Sequence, residues 1–363
     1  MNNIALYRKD KQKWHDVSYS CAKSKKRGHY DSNEKLRYSV LISIQYDFQK
    51  SDEAFIRFLL EQEVLALEND SFQGISDALK LASYLLVKFN NPHDIPLFCR
   101  AKFANFDTAC GFSREFMYLA LREKTEDFVL QNYPDIYSDI EGDYIELCLE
   151  ETLDEWWNYL SRSFPENEAD EPLLELFERN IYFGKDDIAK KYLEQWKDQE
   201  PASENKDSTL KYAYISLGEY ALALKQTKKE LSKKKNNWDR ASCLESLIGL
   251  SAKMDGSQNQ EGLFFIKALD QEFKKFNNWK NIGLGRMSIH EGFNYILATN
   301  DIDIAKEAFV IVDRWFNEMD SIAYVGLKAG RKAAKKCGFL DKAKIYKKLK
   351  IKEKQRIDME MKK

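Results

Sequence analysis

A chain of 363 residues, 44% hydrophobic and 32% charged with a formal net charge of −2, has the make-up of a globular protein, long enough for two or three domains or one repeat array. With 15 glycines and 6 prolines it lacks the turn residues of a sandwich, a barrel or a glycine-dependent nucleotide fold, and long helices are the natural reading. No stretch approaches the roughly 18 apolar residues of a membrane span, and the cysteines Cys21, Cys99, Cys110, Cys148, Cys243 and Cys337 form no Cys-x-x-Cys pair, so reduced thiols in a cytoplasmic protein are expected, without disulfides or zinc.

Residues 1–33 are polar, basic and aperiodic (Lys23-Ser-Lys-Lys-Arg-Gly28) and are expected to form a flexible arm or a short first helix. Leu36, Val40, Ile44 and Phe48 then recur every fourth residue and start the fold. After the capping pair Ser51-Asp52, the residues Phe55, Phe58, Leu59, Gln62, Leu65 and Ala66 mark a second helix. Ile75, Ala78, Leu79, Ala82, Leu85, Leu86 and Phe89 mark a third, which stops before Pro92. A fourth is expected from Pro96 to about Ala104. The segment Asn105–Gly111 breaks the pattern, and Phe103, Phe106 and Phe112 are read as turning into the core rather than forming a recognition loop. Ser113 is placed to cap a long helix from Arg114 to Gln131.

The charge is strongly segregated. Between Asp139 and Glu178 stand 14 acidic residues against one basic, Arg162, whereas Lys328 to Lys363 holds 15 basic against four acidic. A helix from Asp143 to Phe164 places Glu146, Glu150 and Asp154 at i, i+4 and i+8, with Glu151 and Glu155 alongside. Ile145, Leu149, Leu153, Trp156, Trp157 and Leu160 fall on the opposite side. Like charges so spaced repel, so this face is either simply solvated, an anionic ridge for a basic partner, or a divalent-metal site, the last disfavoured because no second helix is marked by facing carboxylates or histidines. The acidic segment Pro165–Pro172 is taken as the boundary between an irregular helical domain, residues 34–165, and a region of different pattern over 172–350.

In that second region a phrase recurs: Gly184-Lys-Asp-Asp-Ile-Ala189, Gly218-Glu-Tyr-Ala-Leu-Ala223, Asn300-Asp-Ile-Asp-Ile-Ala305 and Gly338-Phe-Leu-Asp-Lys-Ala343. A turn-tolerant residue precedes by five places an alanine that opens an amphipathic helix, which is the pattern of stacked helical hairpins. Helices pair as 173–183 with 187–197, 208–217 with 219–233, 239–254 with 260–276, 280–298 with 302–316 and 321–336 with 340–350. The third pair has Gly256, but Glu261 stands where the alanine should be. The residues beyond, 351–363, read as a basic tail that gives the array a soluble end.

Leu217-Gly218-Glu219-Tyr220-Ala221-Leu222-Ala223, with Gly184, Ala189, Gly338 and Ala343 in the same two positions elsewhere, resembles the tetratricopeptide repeat over about 172–350. The family's later small position holds Trp196, Glu230, Val312 and Lys350, its closing proline is absent, and no asparagine and lysine clamp maps onto the chain. The resemblance implies a right-handed array of helical hairpins that binds protein or peptide.

Recognisable chemistry is missing. His15, His29, His93 and His290 lack metal-ligand spacing, and no phosphate loop or nucleophile elbow is present. Arg8 and His15 have the loose spacing of a ribonuclease motif in some helical toxin families, yet lie in the lysine-rich arm. The expectation is therefore an all-α, non-enzymatic interaction protein without metal or cofactor. Its acidic residues Glu146, Glu150, Glu151, Asp154 and Glu155 would meet a basic protein or peptide, in the manner of an inhibitor or immunity protein. A peptide-responsive regulator and a helical enzyme without a known motif are the alternatives. Nucleic acid is not expected, the basic tail being its only hint.

Overall fold

The computed structural model describes residues 4–24, 28–69, 74–144, 153–254, 261–276, 278–319 and 323–360. These residues are all-α apart from one antiparallel pair of short strands, β1 (Cys21–Ser24) and β2 (Gly28–Asp31). The fold divides into two compact units, Met1–Glu175 and Leu176–Lys363.

In the first unit the described residues 4–24 begin with a short first helix, one of the two forms expected for residues 1–33. Helix α1 (Ile4–Lys9) and a 3-10 turn (Lys11–Val17) precede the strands. Tyr7 and Val17 are buried, Trp14 packs on Phe55 and Phe58, and Arg8 pairs with Asp47 and Asp52. These anchors are irregularly spaced, so they leave no period to read. Arg8 is thereby engaged as a tie to the core, and His15 is exposed.

Helices α2 (Glu34–Tyr46), α3 (Glu53–Asn69) and α4 (Asp77–Val87) form the centre, with Val40, Leu41, Ile44, Ile56, Leu59, Leu60, Leu79, Leu85 and Leu86 buried between them. Then come α5 (Ile95–Lys102) and α6 (Phe106–Gly111), which occupies the segment expected to be irregular. Asn105 and Thr108 bond each other's backbone amides, so a capping box starts a helix where composition suggested a break. The long helix expected over 114–131 is two, α7 (Glu115–Tyr118) and α8 (Thr125–Asn132), because Arg122 sits at φ 53° and turns the chain. Helix α9 (Leu153–Ser163) closes the unit.

The boundary falls later than Pro165–Pro172. Buried Glu171 accepts from Tyr46 Oη at 2.7 Å and Gln45 Nε2 at 3.1 Å, and Gln45 also donates to the Pro165 carbonyl at 2.7 Å. The acidic segment is stitched to α2.

Ten helices predicted as five pairs are all present. They are α10 (Leu173–Tyr182) with α11 (Asp186–Gln199), α12 (Glu204–Ser216) with α13 (Tyr220–Lys233), α14 (Asn237–Ser251) with α15 (Glu261–Phe273), α16 (Gly283–Ala298) with α17 (Ile302–Glu318), and α18 (Tyr324–Lys336) with α19 (Leu340–Glu360). The four later pairs pack along their lengths, and successive first helices stack α14 on α16 on α18. Helix α19 runs ten residues past its expected end at 350, so most of the basic tail is helical.

Ala189, Ala223, Ala305 and Ala343 are buried as the recurrent phrase requires. Three of the turns are alike: Gly184, Gly218 and Gly338 adopt φ of 71°, 72° and 82°, and the next amides along the chain, those of Lys185, Glu219 and Phe339, each reach the carbonyl five residues back at 2.8 Å. This left-handed glycine closure satisfies the last carbonyls of the helix. The Asn300 turn is built differently. Thr299 leaves α16 in extended backbone, and the Asp301 carboxylate caps α17 through the amides of Asp303 and Ile304. In the third pair the small residue is Gly262, one place beyond Glu261. A Cβ there would lie 2.1 Å from Tyr295 Cε2, so only glycine admits that ring.

Candidate interaction surfaces

Of the acidic residues singled out by spacing, Glu146, Glu150 and Glu151 lie outside the described residues. Asp154 and Glu155 are exposed on α9. The same helix buries Leu153 and Trp156, Trp156 meeting Phe116 edge-on at 5.0 Å while Trp157 stacks on Tyr84 at 5.4 Å. Aromatic contacts fix one side of α9 and leave the carboxylates on the other.

The acidic face carries counter-charge from its own unit. Arg122, at the left-handed turn between α7 and α8, donates to Asp154 at 2.6 Å, and Arg114 pairs with Asp143. The hydrogen bond and charge of Arg122 hold the Asp154 carboxyl below its ordinary range. Both groups are exposed, so solvent screens the pair and it adds little to stability. Its effect is to keep the carboxylate ionised.

Aromatic groups stand out in water in the same unit. Phe112 enters the core as expected, but Phe103 and Phe106 are 51% and 68% exposed, which overturns the inward reading of the three. The capping box of Asn105 and Thr108 sets the direction of α6 and leaves Phe106 on its solvent side. Tyr159 is 71% exposed, one turn after Glu155 on α9. Sequence pattern could not find this, since an exposed and a buried phenylalanine look alike.

Phe103 also rims an open pocket of about 500 Å³ that includes Lys102, Cys110, Arg114, Glu115, Asp139 and Asp143. Lys102 Nζ donates to the Phe112 carbonyl at 2.8 Å, and burial, with the nearby Arg114 charge second, lowers its pKa. Cations and carboxylates share the wall. Such a lining suits polar contact. Among the described residues no group of three or more His, Cys, Asp and Glu is placed to hold a metal ion.

His290 on α16 is half-buried, and its Nδ1 has no partner among the described residues. Burial raises the thiols of Cys99, Cys243 and Cys337, Cys99 to about 12 and Cys243 to about 11. These three are inert core residues. No described helix is long and apolar enough to cross a membrane. No protein-family model, curated protein or solved structure matches the chain.

Proposed function

We propose that the chain is a protein-interaction scaffold: a divergent tetratricopeptide-like array of helical hairpins joined to a helical unit whose acidic, aromatic surface captures a basic protein partner, as an inhibitor or immunity protein does. The observation that carries the reading is the exposure of Phe103, Phe106 and Tyr159 in a unit rich in acidic residues. An exposed apolar patch marks a contact site, and these three side chains are the candidate members of one here. Aromatic residues also supply most of the affinity at interfaces, where charges around them set partner and rate.

The array supports the same reading. Its three matched glycine turns and buried alanines are the elements of the hairpin repeat, a scaffold that presents surface rather than chemistry. The test is to capture the protein that co-purifies with the chain and to measure its affinity for Phe103→Ser/Phe106→Ser. A loss of at least about tenfold, the scale of interface hot spots, with unchanged melting supports the proposal. Unchanged affinity removes its basis.

A further inference from the structure

Between α14 and α16, the first helices of the third and fourth hairpins, two carboxylates face each other without a cation bonded to either among the described residues. Glu245 is 9% exposed, and the hydrogen bond it accepts is a long one, from Ser246 Oγ at 3.5 Å. The Glu291 side chain lies across α14 at Gly249, within 3.1–3.3 Å of where a Cβ at that position would stand. Asn294 Nδ2 donates to it at 3.4 Å.

The surrounding charges do not neutralise this pair. The cation acting on Glu245 is Lys211 of α12, which is bonded to Glu230 of α13 at 2.9 Å. On α15, Glu261 pairs with Lys228, Lys267 with Glu307, Asp270 with Arg314 and Lys274, and Glu272 with Arg240 and Lys275. On α16 itself His290 adjoins Glu291. Burial first, and the Glu291 charge second, push the Glu245 carboxyl up to about 7. Carboxylates on facing helices repel when both are ionised, and a proton on buried Glu245 removes that repulsion.

We propose that Glu245 and Glu291 form a proton-operated joint between the third and fourth hairpins, closed when the pair keeps a proton and loosened when both groups are ionised. This is independent of the interaction reading, since it concerns one helix contact within the array. The sign is set by linkage. The folded pKa lies above the unfolded carboxyl value of about 4.3, so the contribution to stability is full below that value and is lost as pH rises to about 7.

The experiment measures melting temperature and amide exchange, corrected for intrinsic rate, between about pH 5.5 and about pH 8 in the parent protein and in Glu245→Gln. The parent should melt several degrees lower at the higher pH, with α14 and α16 losing protection severalfold relative to α18 and α19. Glu245→Gln, a fixed stand-in for the protonated acid, should flatten both trends and melt above the parent at high pH. The same pH slope in Glu245→Gln as in the parent, or unchanged protection of α14 and α16, overturns the proposal. Should Glu245→Gln not fold, Glu291→Gln must flatten the slope instead, and a slope that survives it is equally fatal.

Discussion

Arg37 Nε lies 2.5 Å from Glu63 Oε1, and the pair joins α2 to α3 with both side chains out of water. Further bonds surround the pair: Arg37 also bonds Asp31 at 2.6 Å and the Val17 carbonyl at 3.2 Å, and Ser76 donates to Glu63 at 2.8 Å. One guanidinium therefore ties the amino-terminal segment, β2 and two core helices together. Removing one member of such a network leaves a buried charge unpaired. Arg37→Met should destabilise the first unit by about 3–5 kcal/mol, read by denaturant unfolding, and should release residues 4–24 to exchange first.

The hairpin register predicts two different penalties at positions close together in the chain. At Gly218, φ is 72° and no atom lies within 4 Å of an added Cβ, so the cost of Gly218→Ala is purely that of left-handed backbone, about 1–2 kcal/mol. At fully buried Ala223 the backbone is helical and the cost is steric. Ala223→Phe should lose about 1–3 kcal/mol by overpacking. Thermal melts showing either substitution to be neutral would contradict the assigned turn or contact.

The helices of the second unit were legible because their information is local and repeated. A left-handed glycine, an alanine packed flat against the neighbouring helix and a 3.6-residue stripe are each set by residues close in sequence. Where the pattern misled, long-range partners decided. Leu36 fits the periodic stripe of α2 yet is exposed, while Arg37 is buried because Asp31 and Glu63 wait for it. Likewise Arg122 breaks a stretch of good helix formers, and its guanidinium meets Asp154 on α9. Of the candidate site only the acidic segregation could be read from the chain. The exposure of Phe106 depends on the direction of α6, and the Glu245 and Glu291 pairing depends on the stacking of helices from two different hairpins.

The ion pair of Arg122 and Asp154 should matter to binding and hardly at all to folding, because both groups are solvated. Arg122→Gln should leave the melting temperature close to the parent's. It should also speed capture of a basic partner by uncovering the carboxylate, an effect that fades as salt screens it. Stopped-flow association at two ionic strengths checks this.

The central claim is that an acidic and aromatic surface of the first unit captures a basic protein. The most direct measurement is the association rate and affinity of the stoichiometric co-purifying partner for the parent chain and for Asp154→Lys/Glu155→Lys, across a salt series. The double variant should show slower capture, a shallower salt dependence and an unchanged melt, since both side chains are exposed while Trp156 makes the core contact. A partner that binds the variant at the parent's rate and with the parent's salt slope would contradict the claim.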